Sequence, residues 1–327
     1  MLRATLGAVG PSLLVASLLI ASPLAKAQQD YPAREIKAIC NFAVGTGADI
    51  LVRYYSDQLG RALGKPVIVE NRPGNNGNVA SDAVAKSKPD GYTIMITPGS
   101  STLAAAPHLN KVMPFDPIKD LQPVTTVLQL SFGVIVNAAL PVSNMAQLTE
   151  YLKKKPNGGT FGTSNNTGLV AAEIYKERSG VKSVSVPYKA TPQGLTDLLS
   201  GQLDFMVADG TFINQQIRGG KIKLLAVTTA TRASAFPNVP TMAESGFPGF
   251  DLGAWWGVVV PAGTPKPIVD KLEATFNQIA TSDDTRKFLA VAASDVLPGS
   301  QAKMAAMIRT DMEKWAGYVK LANIQPE

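Results

Sequence analysis

From residue 36 onward, two rhythms of apolar and polar positions alternate along the chain. Residues 36–44 are a mostly apolar, strand-like run that ends in Gly45-Thr46-Gly47. Over 49–63 the apolar residues Ile50, Leu51, Tyr54, Tyr55, Leu59 and Leu63 recur at helical spacing, which predicts a helix with one buried face. A short β-branched run at 66–69, a loop through Asn71-Arg72-Pro73-Gly74-Asn75-Asn76-Gly77, a helix over 79–86 and a strand over 92–97 follow. Strands separated by single helices predict βαβ units around a parallel sheet.

The pattern recurs in the middle of the chain. A long apolar run at 124–136 precedes helices at 145–153, 169–178, 194–200 and 213–218, with strands at 160–162, 183–186, 205–208 and 224–228 between and after them. Another apolar strand, 255–260, and two helices, 268–280 and 304–322, close the chain. The long runs at 124–136 and 255–260 suit two crossings between lobes, so the expected fold is α/β with two lobes and two crossing segments. Length supports the division, because single cores stop growing near ~250–300 residues. The expected division is residues 28–127 plus 251–327 as the first domain and 128–250 as the second, with a ligand cleft between them.

The N-terminal pattern differs. Arg3 precedes an uncharged apolar run at 11–21, and Ala25-Lys26-Ala27 puts small residues before Gln28. These features predict a secretory signal peptide over 1–27, cleaved before Gln28, and hence a periplasmic protein. The apolar run is short for a span of ~20 residues. The formal charge of +6 is spread along the chain, with Lys153-Lys154-Lys155 as its dense run, so a nucleic-acid partner is not expected. Composition narrows the chemistry further. A single cysteine, Cys40, and a single histidine, His108, leave neither an internal disulfide nor an ordinary zinc or copper set. No metal and no cofactor are expected.

Candidate chemistry lies at the strand-to-helix junctions. Gly45-Thr46-Gly47-Ala48-Asp49, Pro98-Gly99-Ser100-Ser101-Thr102, Thr163-Ser164-Asn165-Asn166-Thr167-Gly168 and Lys189-Ala190-Thr191-Pro192-Gln193-Gly194 are all rich in small polar residues. Such loops offer backbone N–H groups at helix N-termini, where an anion is favoured, although the same residues serve as helix caps. A dinucleotide site is one alternative, since Gly45-x-Gly47 follows a strand. Ile50 occupies its third glycine position, however, and Asp49 adds negative charge. A secreted α/β enzyme acting on a carboxylate is another. No Gly-x-Ser-x-Gly occurs, and His108 is the only imidazole base, so no enzymatic activity is expected.

Ordered blocks along the chain then carry a family likeness. They are residues 41–53, Val69-Glu70-Asn71-Arg72-Pro73-Gly74, Lys88-Pro89-Asp90-Gly91-Tyr92-Thr93, Val186-Pro187-Tyr188-Lys189, residues 198–204, residues 239–246 and Pro261-Ala262-Gly263-Thr264-Pro265. Together they resemble the solute-binding proteins of tripartite tricarboxylate transporters, the Bug (TctC-like) family. The resemblance implies a type II periplasmic-binding-protein fold with Venus-flytrap closure. It also implies a small carboxylate ligand, namely a dicarboxylate, an aromatic carboxylate such as a phthalate, or an acidic amino acid. The implied partners are the membrane components of such a transporter, with the binding protein itself a monomer. Carried onto this sequence, the ligand-binding residues are Thr46, Ala48, Ser100, Ser101, Ser164, Asn165, Asn166, Thr167 and Asp209. Asp209 could accept an amine or hydroxyl from a ligand or cap a helix. Asp49 and Arg53, four apart, suit a structural ion pair. Since neighbours on a strand face opposite sides, one of Trp255 and Trp256 could line the cleft while the other packs in a core.

Overall fold

The computed structural model describes residues 31–188 and 190–326. The signal segment at 1–27, with its cleavage before Gln28, lies outside them, as does Lys189. In chain order the first sheet receives β1 (Ile36–Cys40), β2 (Val67–Asn71), β3 (Thr93–Pro98) and β4 (Leu121–Leu130), with helices α1 (Gly47–Leu63), α2 (Asn78–Ala85) and the short α3 (Ala106–Leu109). A single turn of π-helix, Gly99–Ala104, joins β3 to α3. The second sheet holds β5 (Phe132–Asn137), β6 (Thr160–Thr163), β7 (Val184–Pro187), β8 (Phe205–Asp209) and β9 (Ile222–Val227). Its helices are α4 (Met145–Lys153), α5 (Asn166–Ser179), α6 (Thr191–Ser200) and α7 (Gly210–Ile217). The chain then returns through β10 (Ala254–Pro261), α8 (Lys266–Thr281), α9 (Asp283–Val291), β11 (Ser294–Val296) and α10 (Gln301–Leu321).

The two sheets have the orders β11-β4-β10-β3-β1-β2 and β7-β6-β8-β5-β9, one in each lobe. The expected parallel pairing holds for β2-β1-β3 and β7-β6-β8. The remaining pairs, β3-β10, β10-β4, β4-β11, β8-β5 and β5-β9, are antiparallel. Both sheets are therefore mixed. β5 enters its sheet directly from the crossing after β4 and not through a helix, so the right-handed crossover that makes neighbouring strands parallel does not apply to it.

The long apolar run at 124–136 is two strands. Ser131 separates β4 in one sheet from β5 in the other, and this is the first crossing. The second crossing is not at 255–260, because β10 lies wholly within the first sheet and is buried throughout. It falls just upstream, where Leu252 N–H donates to the Thr228 carbonyl (2.9 Å) and Thr228 Oγ1 donates to the Leu252 carbonyl (2.6 Å). The same Thr228 N–H donates to the Phe132 carbonyl (2.9 Å), so the two crossings are stitched side by side. Strand β1 also ends earlier than its apolar run. Asn41 turns inward instead, accepting from Thr97 Oγ1 (3.1 Å) and donating to Thr102 Oγ1 (3.3 Å), and Val44 is left exposed.

Helix α10 reaches both lobes. Met304 and Ile308 pack with Met95, Trp255 and Val259 of the first lobe. Further along the helix, Trp315 joins a core with Phe132, Val134, Val170 and Phe205 of the second. A glycine at 257 permits this approach, since a Cβ there would stand 2.6 Å from the Met304 methyl. Among the described residues no helix is long and apolar enough to cross a membrane.

Candidate functional site

Several helices point their N-termini at one opening between the sheets. Helix α1 begins at Thr46, whose Oγ1 accepts the Asp49 N–H (3.2 Å). Helix α5 begins at Asn165, whose Oδ1 accepts the Gly168 N–H (2.8 Å). Helix α7 begins at Asp209, whose Oδ1 accepts the Phe212 N–H (2.9 Å). A side-chain cap satisfies one first-turn donor and leaves the others without an intrahelical partner. The Asn166 and Thr167 N–H groups of α5 are of this kind.

These ends surround a cleft of about 770 Å³. Ala48, Ser101, Ser164, Asn165, Asn166, Thr167 and Asp209 line it together. Thr46 and Ser100 do not. The Thr46 hydroxyl donates to the Ala43 carbonyl (2.9 Å) in an exposed turn, and Ser100 lines a different cavity. Ser164 Oγ shares a hydrogen bond with Thr191 Oγ1 (2.7 Å), which ties the start of α6 to the carboxyl end of β6. Trp256 faces the cleft, stacked on Phe42 with ring centroids 5.6 Å apart. Trp255 points the opposite way, and its indole N–H donates to Asp311 Oδ2 (2.6 Å). Strand alternation permits either facing. Gly99 decides it, since the Trp255 ring occupies the space a Cβ would take there.

Other lining groups have no signal in the local pattern. Phe132 and Trp315 add aromatic surface, and Ile324 and Gln325 arrive after α10 ends. Asn75 and Asn76 adopt left-handed backbone (φ 44° and 53°), which asparagine tolerates. Gly77 follows at φ 94°, where a Cβ would stand 2.8 Å from Asn41 Nδ2. Unlike the other groups, Asn75-Asn76-Gly77 carries a local sign, since asparagine and glycine are the residues that readily take left-handed backbone.

Among the described residues lining the cleft, Asp209 is the only ionisable one. No lysine or arginine is among them. The donors that face the cleft are therefore helix ends and neutral side chains, over an aromatic floor of Phe42, Trp256, Phe132 and Trp315. The loop before α1 is held by Asp49, which is buried and accepts from Gly45 N–H (2.9 Å), Arg53 Nε (2.9 Å) and Asn71 Nδ2 (2.7 Å). Burial opposes its ionisation. The hydrogen bonds from Arg53, Asn71 and Gly45 outweigh burial and hold the carboxyl at about 2, against an ordinary 3.8. A depressed carboxyl stabilises the fold above its unfolded value and loses that effect as pH falls through the folded one. The contribution is about 2 kcal/mol, lost between about pH 4 and pH 2. Urea midpoints measured from pH 5 to pH 2 should therefore fall less steeply in Asp49→Asn. Parallel acid limbs for the two proteins would exclude Asp49 as the source. No group of metal-ligating side chains occurs among the described residues.

Two sheets joined by paired crossings, with helix N-termini converging on a polar cleft between them, define a two-lobed solute-binding protein. A family model described as the tripartite tricarboxylate transporter family receptor matches residues 51–324. The chain belongs to this family. It is 33% identical over 317 residues to a UPF0065 protein of Bordetella bronchiseptica, covering 96% of this chain and 94% of that one. It is 29% identical over 310 residues to protein BugT of Bordetella pertussis, covering 94% of each. Among solved structures, Rpa4515 of Rhodopseudomonas palustris with adipate superposes with a TM-score of 0.77 at 31% identity, covering 91% of this chain and 100% of that one. MatC from the same organism, with bound malate, gives 0.71 at 26% identity, covering 88% and 100%.

Proposed function

We propose that this protein is exported, captures a small carboxylate in the cleft between its lobes, and delivers it to the membrane components of a tripartite tricarboxylate transporter. The observation that carries this reading is the convergence of the α1, α5 and α7 N-termini on a cleft with no lysine or arginine on its described walls. Helix ends favour a carboxylate without a cationic side chain. The adipate and malate bound by the two Rhodopseudomonas relatives support a dicarboxylate. The aromatic floor suits an aromatic acid equally, and Asp209 suits the ammonium of an acidic amino acid. Ala48, Ser101, Ser164, Asn165, Asn166, Thr167 and Asp209 are the proposed contacts.

The proposed working unit is a monomer that begins at Gln28. Its lobes follow the expected division, residues 28–127 with 251–327 and residues 128–250, with the first boundary shifted to Ser131, where β4 gives way to β5, and they close on the ligand by bending at the two crossings. The reading is of a binding protein without catalysis. The test uses protein recovered from the periplasm, whose first residue should be Gln28, heated with adipate, malate, phthalate and aspartate in turn. A ligand bound only by the folded state at a hundred times its Kd stabilises by about 2.7 kcal/mol, so at least one acid should raise the melting temperature. It should also be recovered chemically unchanged. If no acid shifts the melt, or if the bound acid is converted, the proposal fails.

A further inference from the structure

Behind β10, on the side Trp255 faces, a second cavity of about 340 Å³ lies between α10 and the second crossing. Ser100 lines it, buried, and the Ser100 hydroxyl has no hydrogen-bond partner. A buried hydroxyl left unpaired costs free energy, so a polar group is wanted here. Two carboxylates face the same space. Asp251, on the crossing, uses one oxygen to accept the Ala230 N–H (3.0 Å). Asp311, on α10, accepts from Trp255 Nε1 (2.6 Å) and has Lys314 Nζ at a loose 3.7 Å from its other oxygen. Burial raises the Asp311 carboxyl above its ordinary range, the Trp255 and Lys314 contacts only partly oppose this, and Asp251 adds to it. The site thus gains from a positive charge near the aspartates, while Lys303 and Lys314 offer charge of the opposite sign. Trp255 and Trp315 supply apolar walls.

We infer that this hinge-side cavity is a second binding site, taking a small zwitterion of the amino-acid type. Its ammonium lies toward Asp251, Asp311 and the Ser100 hydroxyl, its carboxylate toward Lys314, and a short apolar side chain against the tryptophans. The site is distinct from the cleft, which Trp256 faces from the other side of the strand. Neither charge alone suffices, because each end of the molecule meets a complementary group.

Calorimetry on the full mature protein tests the assignment with L-leucine, L-leucinamide (no carboxylate) and 4-methylpentanoate (no ammonium). Leucine should bind, and both analogues should bind at least tenfold more weakly. Asp311→Asn, which keeps an acceptor for Trp255, should weaken leucine at least tenfold. The exposed Asp251→Asn should do likewise, and it guards against a folding defect at 311. Ser164→Ala with Asn166→Ala, in the cleft, should leave leucine binding unchanged. If leucine does not bind, or if it is lost with the cleft variant and kept in both aspartate variants, the hinge site does not exist as inferred. Equal binding of leucine and 4-methylpentanoate would overturn the zwitterion assignment.

Discussion

Replacing Trp315 by alanine should lower the stability of the protein by about 3–5 kcal/mol, the range for truncating a buried aromatic side chain. Trp315 is 2% exposed and meets Tyr318 edge-on, with centroids 5.8 Å apart. Its position makes the loss more than a local cavity. It is the point where α10, anchored on the first lobe by Met304 and Ile308, enters the core of the second. Trp315 also forms part of the wall of both the cleft and the hinge-side cavity. At roughly 2–4 °C per kcal/mol for a chain of this size, the melting temperature should fall by about 6–20 °C. Glu313→Ala, exposed on the same helix, should change little. Calorimetric melts of the three proteins decide the matter, and a Trp315→Ala melt within a degree or so of wild type would show that α10 does not hold the lobes together.

If the α5 terminus grips a carboxylate as proposed, methyl esterification of the bound acid should weaken binding by at least about a hundredfold, or ~2.8 kcal/mol at ~1.4 kcal/mol per decade. The ester keeps two oxygen acceptors but loses the charge. Hydrogen bonds to a charged group contribute roughly 1.5–3 kcal/mol each and neutral ones roughly 0.5–1.5 kcal/mol. The attraction of a helix N-terminus for an anion, about 0.3–2 kcal/mol, disappears as well. Ser164→Ala and Asn166→Ala should cost less, because the backbone donors of Asn166 and Thr167 survive them. Ser164 is in addition already engaged with Thr191. Calorimetry on the acid and its ester, each against wild type and the two variants, gives the comparison. An ester that binds as tightly as its acid would show that no carboxylate is recognised at this helix end.

Much of the site was legible because it is written locally. A polar cap followed by an apolar helix has the same meaning wherever it occurs, and Asn165 and Asp209 cap α5 and α7 by bonds to residues three further on. Asp49 and Arg53 pair across one helical turn, as their spacing of four suggested. Strand and helix order, the two lobes and the family likeness come from similar short-range patterns. Other features depend on partners far away in the chain. Whether Ser100 or Ser101 meets the cleft is fixed by the π-helical turn after β3, and the choice between Trp255 and Trp256 by the backbone of Gly99, far upstream. The break at Ser131 is invisible within a continuous apolar run, since both halves are buried, each in a different sheet. Antiparallel β10 and the arrival of Trp315, Ile324 and Gln325 at the cleft follow from packing across both lobes. The sequence alone determined which segments fold and which of their ends can attract an anion, because hydrogen bonds within a turn and apolar periodicity act over a few residues. Only the tertiary structure decided which ends meet and which faces look at each other, because those choices are made by contacts between segments that the chain itself keeps far apart.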